Sequence, residues 1–272
     1  MHQRALLVTK HGKQHLLAPV FAESGWTLDT VYADTDSLGT FSGDVPRRHS
    51  PLETARRKAL LGAELGDAPW LVASEGSIGS RWPGIVDDVE LVALVARDTH
   101  TVVRGRAVGY GLRAVQFQVD STTTESEIIR RCTDADLPRH RLLVATSDRG
   151  DRAIGDLAHV EDVLDACQRL ARPHRTLTVQ TDFRAHLCPS RQTVIIDAAK
   201  DLMLRMSQEC PTCGAPGFGE EKSVPGRPCA DCGAPTDDAI AQRWACPTCT
   251  FQEDRPMKGE GADPAHCSWC NP

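Results

Sequence analysis

Ala5-Leu6-Leu7-Val8-Thr9-Lys10-His11-Gly12-Lys13 is the stretch that decides the fold class. A short apolar run that ends in a polar turn reads as a buried strand. The segment after it, Lys13 to Glu23, carries Leu16, Leu17, Val20 and Phe21 at helical spacing, with Pro19 as a flaw. Strand, glycine turn, helix is how an α/β domain opens. Such a turn leaves backbone N–H groups free, and two lysines add positive charge. Thr9, Lys10, His11 and Lys13 are therefore candidates for holding an anion such as phosphate. A solvated loop is the plain alternative.

The same style continues outward from this stretch. Thr27 to Tyr32 alternates and reads as a strand. Asp34 to Pro51 is rich in Gly, Ser, Asp and Pro, as long functional loops are. Ser50-Pro51-Leu52-Glu53 has the form of a capping box and predicts a helix from Pro51 to about Leu65. On that helix Glu53 and Arg57 stand four apart and also suit an exposed ion pair. Trp70 to Ala73 reads as a buried strand leading into Ser74-Glu75-Gly76-Ser77-Ile78-Gly79, a carboxylate on a Gly-rich turn. At a strand's carboxyl end such a carboxylate suits a magnesium ligand or a base. Val89 to Ala96 and Thr101 to Val108 flank Asp98-Thr99-His100 as a hairpin. Asp87, Asp88 and Glu90 read as a solvated edge. Strands at Val115–Val119, Arg141–Ala145 and Leu177–Thr181 alternate with a helix that starts over Glu125–Cys132 and helices at Val160–Ala171 and Arg191–Met206. Together these predict an α/β domain with a mixed sheet over residues 1–207. Read on an extended strand, Asp182, Arg184 and His186 share one face, with Arg191 at the next helix start. They line an anion site or form an ion-pair network.

The end of the chain differs in kind. Of eleven cysteines, eight form four Cys-x-x-Cys pairs: Cys210/Cys213, Cys229/Cys232, Cys246/Cys249 and Cys267/Cys270. Two such turns complete a tetrahedral sulfur site, so residues 208–272 predict a module with two structural zinc ions. Fifteen residues separate the first two pairs and seventeen the last two, both fitting a four-cysteine site. Sequential pairing is the simpler expectation; first with third and second with fourth is the alternative. Gly214 and Gly233 follow their pairs where a tight knuckle favours positive φ. Metal would supply folding energy that so short and polar a segment lacks. From Cys210 onward five basic residues face nine acidic ones. That balance argues against nucleic acid and for bracing or a protein partner. Cys132, Cys167 and Cys188 read as buried small hydrophobes.

In order and spacing, Thr9-x-x-Gly12-Lys13, the Glu53-x-Ala55-x-x-Lys58-Ala59 helix and Ser74-Glu75-Gly76 resemble the inosine-triphosphate pyrophosphatase superfamily over residues 4–110. The nearest branch is that of non-canonical purine phosphatases. The resemblance implies Lys13 on phosphate, Glu53 as a metal ligand, Glu75 as a metal ligand or base, and late basic residues near a nucleotide. It thus implies a magnesium-dependent hydrolase of a nucleotide or related phosphate ester. The departures are His11 near the family's turn Asn, and Ser74 where the family has a second acid. A nucleotide sensor without catalysis, and an adaptor that docks a protein through the zinc module, are the alternatives. Over its full length the chain resembles a family of uncharacterised bacterial proteins with a double zinc ribbon. That likeness rests on Gly39-Thr40-Phe41-Ser42-Gly43, Ser50-Pro51-Leu52-Glu53, Ala73-Ser74-Glu75-Gly76-Ser77 and Thr181-Asp182-Phe183-Arg184-Ala185-His186.

The 272 residues are 40% hydrophobic and 25% charged, with a net charge of −6. No overall positive field draws the protein to nucleic acid or an anionic membrane. No apolar run approaches the roughly 18 residues of a membrane span, and Ala5 to Val8 is too short for a signal-peptide core. The expectation is a cytoplasmic protein.

Overall fold

A computed structural model describes residues 3–39, 45–82, 85–146 and 153–272. Residues 40–43 of the Gly39–Gly43 piece lie outside these. The chain divides into two compact units, Met1–Met203 and Leu204–Pro272.

The first unit contains two sheets. The larger has the strands β1 (Gln3–Thr9), β2 (Trp26–Tyr32), β3 (Trp70–Trp82), β4 (Ile85–Ala96) and β5 (Val102–Gly109), in the order β2-β1-β3-β4-β5. β1 is parallel to both neighbours, and Ala5 to Thr9 is buried throughout, as a central parallel strand requires. β3–β4 and β4–β5 are antiparallel hairpins, so the sheet is mixed. Helix α1 (Gln14–Glu23) follows the glycine turn and runs through Pro19, which lies on its exposed side. Helix α2 (Pro51–Leu60) starts as its sequence predicts: Ser50 Oγ accepts the Glu53 N–H at 3.3 Å, with Pro51 in the first turn. It then tightens into a 3-10 turn, Leu61–Glu64. Its Ala59 packs with Leu6, Leu71, Ala73 and Val95 on one sheet face.

The second half builds a sheet of its own rather than extending the first. Strands β6 (Gln116–Val119), β7 (Leu142–Thr146), β8 (Ala153–Leu157) and β9 (Leu177–Thr181) lie in the order β6-β9-β7-β8, all antiparallel. Helices α3 (Glu125–Cys132) and α4 (Val160–Leu170) cover it through Ile128, Cys132, Val163, Ala166 and Leu170. Cys132 and Cys167 belong to this core, and burial pushes each thiol up to about 11. Helix α5 (Pro189–Met206) returns to the first sheet. There Gly105 lets the backbone of the helix approach, since a Cβ would overlap the carbonyl oxygen of Ala198. Gly105 pairs with Val92, which alternates with the Val95 that faces α2, so α5 takes the opposite face.

Three expectations need correcting. β3 does not end in a turn at Glu75. It continues through Gly76 and Gly79, pairing Ser77 with Val89 and Ile78 with Asp88. Gly76 serves space rather than a turn: a Cβ there would overlap Arg191 Nη2 and Glu90 Oε1. Asp87, Asp88 and Glu90 are not a solvated edge. All three are buried on β4, and at Asp88 and Glu90, both at 0% exposure, α5 brings Arg191 against the carboxylates. β9 ends at Thr181, so Asp182, Arg184 and His186 do not alternate on a strand. They lie in the turn before α5, with Ala185–Leu187 in a 3-10 conformation.

The second unit is an antiparallel meander of β10 (Gly219–Pro225), β11 (Ala239–Ala245) and β12 (Gln252–Pro256). Among the described residues, no helix is long and apolar enough to cross a membrane.

Candidate functional site

The cysteine pairs meet in the crossed arrangement, not the sequential one. Cys210, Cys213, Cys246 and Cys249 form one group, and Cys229, Cys232, Cys267 and Cys270 the other. The meander explains why. Each gap between successive pairs contains one strand, and a seven-residue strand carries the chain about 20 Å. Consecutive pairs therefore sit at opposite ends of the sheet, and alternate pairs share an end. The sulfurs stand at the right spacing for zinc. Bonds of about 2.3 Å in a tetrahedron set sulfurs about 3.8 Å apart. Cys210–Cys249 and Cys213–Cys246 are both 3.7 Å, Cys229–Cys270 3.8 Å and Cys232–Cys267 3.6 Å. The knuckles are preformed. Gly214 and Gly233 have φ of 71° and 73° and donate N–H to Cys210 O and Cys229 O. The Thr248 and Cys249 N–H groups both donate to Cys246 Sγ at 3.3 Å. Two four-cysteine groups of this geometry are consistent with two structural zinc ions.

A second site is a cavity of about 330 Å³ in the first unit, where β1 and β3 of the larger sheet meet β7, β8, β9 and the turn after β9. It contains most of the residues singled out in the sequence: Thr9, His11, Lys13, Lys58, Glu75, Asp182, Arg184 and Arg191. Lys13 lies at the start of α1 and reaches Ser74 Oγ at 2.7 Å. Burial lowers its ammonium pKa to about 8, with Arg191 and Lys58 pushing the same way and Glu90 and Glu75 opposing. Glu75, on the α2 face of β3, is 3% exposed. Its Oε2 accepts from Lys58 Nζ at 2.6 Å, and its Oε1 lies 3.1 Å from Arg47 Nη2. Arg47 also donates to Gly76 O at 2.8 Å. Arg191 is 1% exposed, and its Nε donates to Glu90 Oε1 at 2.6 Å. Asp182 is held by Arg184 (Nε at 2.9 Å) and by the Asp156 N–H at 3.1 Å.

Charge within the cavity is uneven. Asp36 is matched by Lys10 and His11, at 2.9 and 3.0 Å, and Asp182 by Arg184. Glu90 matches Arg191 from beneath. Arg47 and Lys58 both hold the carboxylate of Glu75, and Lys13 is bound to a hydroxyl. Among the described residues the lining thus has five basic side chains and three carboxylates, in a protein whose net charge is negative.

Three predicted residues lie outside the lining. Glu53 holds Arg57 at 2.7 Å and Arg56 at 3.4 Å on the surface of α2. Lys10 spans Asp34 and Asp36. His186 is exposed and stacks on His11, with ring centroids 6.0 Å apart. The donors do not suit magnesium as they stand. Both oxygens of Glu75 are occupied by cations, and Glu53 is elsewhere. Among the described residues only the cysteines gather three or more ligand atoms within reach of one ion.

Sequence reasoning missed Arg47 and the buried acids. Arg47-Arg48, placed just before the capping box, was the available signal for the first. The Asp88-Val89-Glu90-Leu91 alternation, in a strand fully apolar from Leu91 to Ala96, was the signal for the second. Outside the cavity, Asp136, His140 and Ser190 are joined in the order of a hydrolase triad, at 3.2 and 3.0 Å. The Ser190 N–H also donates to His140 Nε2, and His140 is buried, so this chain caps the start of α5.

No curated protein and no solved structure matches this chain, so the inosine-triphosphate pyrophosphatase-like fold expected for residues 4–110 finds no counterpart there. One family model does match, over residues 58–272, from the last turn of α2 through both cysteine groups. It is described as a domain of unknown function, DUF6671, and by the extent of that match the chain belongs to the DUF6671 family.

Proposed function

We propose that the cavity binds the phosphate portion of a small molecule, a nucleotide or a related phosphate ester. The observation that carries this reading is the gathering of five basic side chains on its wall, Lys13, Arg47, Lys58, Arg184 and Arg191, beside three carboxylates. A dianionic phosphate complements such a lining, and the partly dehydrated wall strengthens the attraction. The test is a thermal-shift series on the zinc-loaded protein with pyrophosphate, nucleoside mono- and triphosphates, and the matching uncharged nucleosides. The phosphates raise Tm by mass action and the nucleosides alone do not. Lys13→Met weakens the effect about tenfold or more, the worth of a charge-assisted hydrogen bond. Absence of stabilisation by every phosphate tested refutes the reading.

Magnesium-dependent hydrolysis rests on Glu75 alone, which would have to leave Lys58 and Arg47 to ligate a metal. Binding without that chemistry is the reading the ion pairs favour. For the zinc module we propose protein docking. Its acidic balance and the 80% exposure of Trp269, inside the last knuckle, support this. A Trp269→Ala variant with unchanged zinc content and unchanged partner recovery would count against it.

A further inference from the structure

Ser74 and Lys13 share more than a wall of the cavity. Ser74 lies in the middle of β3, fixed by pairing with Val92, and is 7% exposed with its remaining access through the cavity. Lys13 Nζ donates to the Ser74 Oγ at 2.7 Å, a distance at which the amine, once neutral, can instead take the hydroxyl proton. Glu75, the neighbouring acid, points to the α2 face and takes no part in this contact. We propose that Ser74 is a nucleophile activated by Lys13, and that it accepts the phosphoryl group of a phosphate ester or anhydride bound in the cavity. This rests on the phosphate-binding reading above.

The step balances without a further reactant. Neutral Lys13 takes the hydroxyl proton as Ser74 Oγ attacks phosphorus. The Oγ–P bond forms, the bond from phosphorus to the leaving oxygen breaks, and Lys13 returns the proton to that oxygen. Water then attacks the phosphoserine, giving its proton to Lys13, and Ser74 recovers a proton as inorganic phosphate leaves. Lys58 and Arg47, which hold Glu75 on the α2 side, line the same cavity and face the charge on the phosphoryl oxygens from there. The groups around Lys13 are Glu75 on β3, Asp88 and Glu90 on β4, Lys58 on α2 and Arg191 on α5. Together with burial they leave a useful fraction of Lys13 neutral slightly above neutral pH, as a base requires.

The probe is an alkyl fluorophosphonate ester, whose P–F bond reports attack by serine and whose adduct does not turn over. Full-length, zinc-loaded protein is labelled and the modified residue is located by peptide mass. We expect one adduct, on Ser74. Its rate rises between pH 7 and 9, disappears in Ser74→Ala, and falls by roughly 10² in Lys13→Met that still melts cooperatively. A folded wild-type protein that pyrophosphate stabilises but the probe does not label overturns the nucleophile and leaves phosphate binding standing. Labelling that persists in Ser74→Ala, or that is indifferent to pH and to Lys13, overturns it equally. A protein neither labelled nor stabilised overturns both readings.

Discussion

Arg191 and the two acids beneath it set the electrostatics of the cavity floor. The guanidinium is 1% exposed and the Glu90 carboxylate 0%, so each charge depends on the other for compensation. Arg191→Leu leaves an unmatched buried carboxylate, and we expect a loss of about 3–5 kcal/mol by urea denaturation. Arg57→Ala breaks only the surface pair with Glu53 and costs about 0.5 kcal/mol. Similar losses in the two variants would show that the buried pair is hydrated. Asp88 behaves differently from an ordinary aspartate. Burial first, and the Glu90 carboxylate second, push its pKa up from 3.8 to about 8. The folded protein thus holds a proton that the unfolded chain has released. The stability from this proton is complete below pH 3.8 and is lost as pH rises through about 8. Asp88→Asn keeps a neutral side chain of the same shape at every pH. It should melt above the wild type beyond pH 8, with the gap closing toward pH 5. Parallel melting curves across that range would remove Asp88 as the titrating group. At this scale Lys13, Lys58, Glu75 and Arg191, which the fold brings to one cavity, could be singled out in the sequence because their chemistry lies in short local patterns. Their partners were not: Arg47 and Glu90 meet them only through contacts 28 and 101 residues away in the chain.

At the scale of elements, periodicity located most strands and helices, including the start of α3 but not its end. Periodicity failed where tertiary demands replaced local ones. Gly76 and Gly79 read as a turn because glycine usually marks one, yet here glycine makes room inside a long hairpin. β8, Ala153–Leu157, has too weak an alternation to stand out, and becomes a strand only by pairing with β7. The division into two sheets was likewise unreadable, since strand order depends on pairings rather than on segment type. α5 is the element on which the large sheet and the cavity both depend. It comes close enough to β5 for a Cβ on Gly105 to overlap backbone atoms of Ala198 and Leu202. Gly105→Ala must shift the helix, and with it Arg191. We expect a destabilisation of about 1–3 kcal/mol. Gly111→Ala, with nothing within 4 Å, is the control and should fall within about 0.5 kcal/mol of wild type. Chemical denaturation of the three proteins decides this. An unperturbed Gly105→Ala would mean that the helix packs farther from the sheet.

For the whole molecule, the zinc module shows how connectivity overrides the simplest reading of spacing. Fifteen and seventeen residues suit a single site, but a strand within each gap carries the next pair to the far end of the meander. The metal content of double variants distinguishes the two pairings. In the crossed arrangement Cys210 and Cys246 serve one ion, so Cys210→Ser/Cys246→Ser disables one site and keeps the second zinc. Cys210→Ser/Cys229→Ser strikes both sites and leaves little zinc. Sequential pairing reverses the two results. Stability should follow the same rule. Once Cys210 is changed, changing Cys246 adds little, because residues of one ligand set are coupled, whereas changing Cys229 adds a second full loss. Elemental analysis of the purified variants reads the first comparison and thermal melts the second. Cys210→Ser/Cys229→Ser retaining one equivalent would return the pairs to sequential order and with it undo the meander, because no antiparallel three-strand ribbon brings consecutive knuckles to the same end.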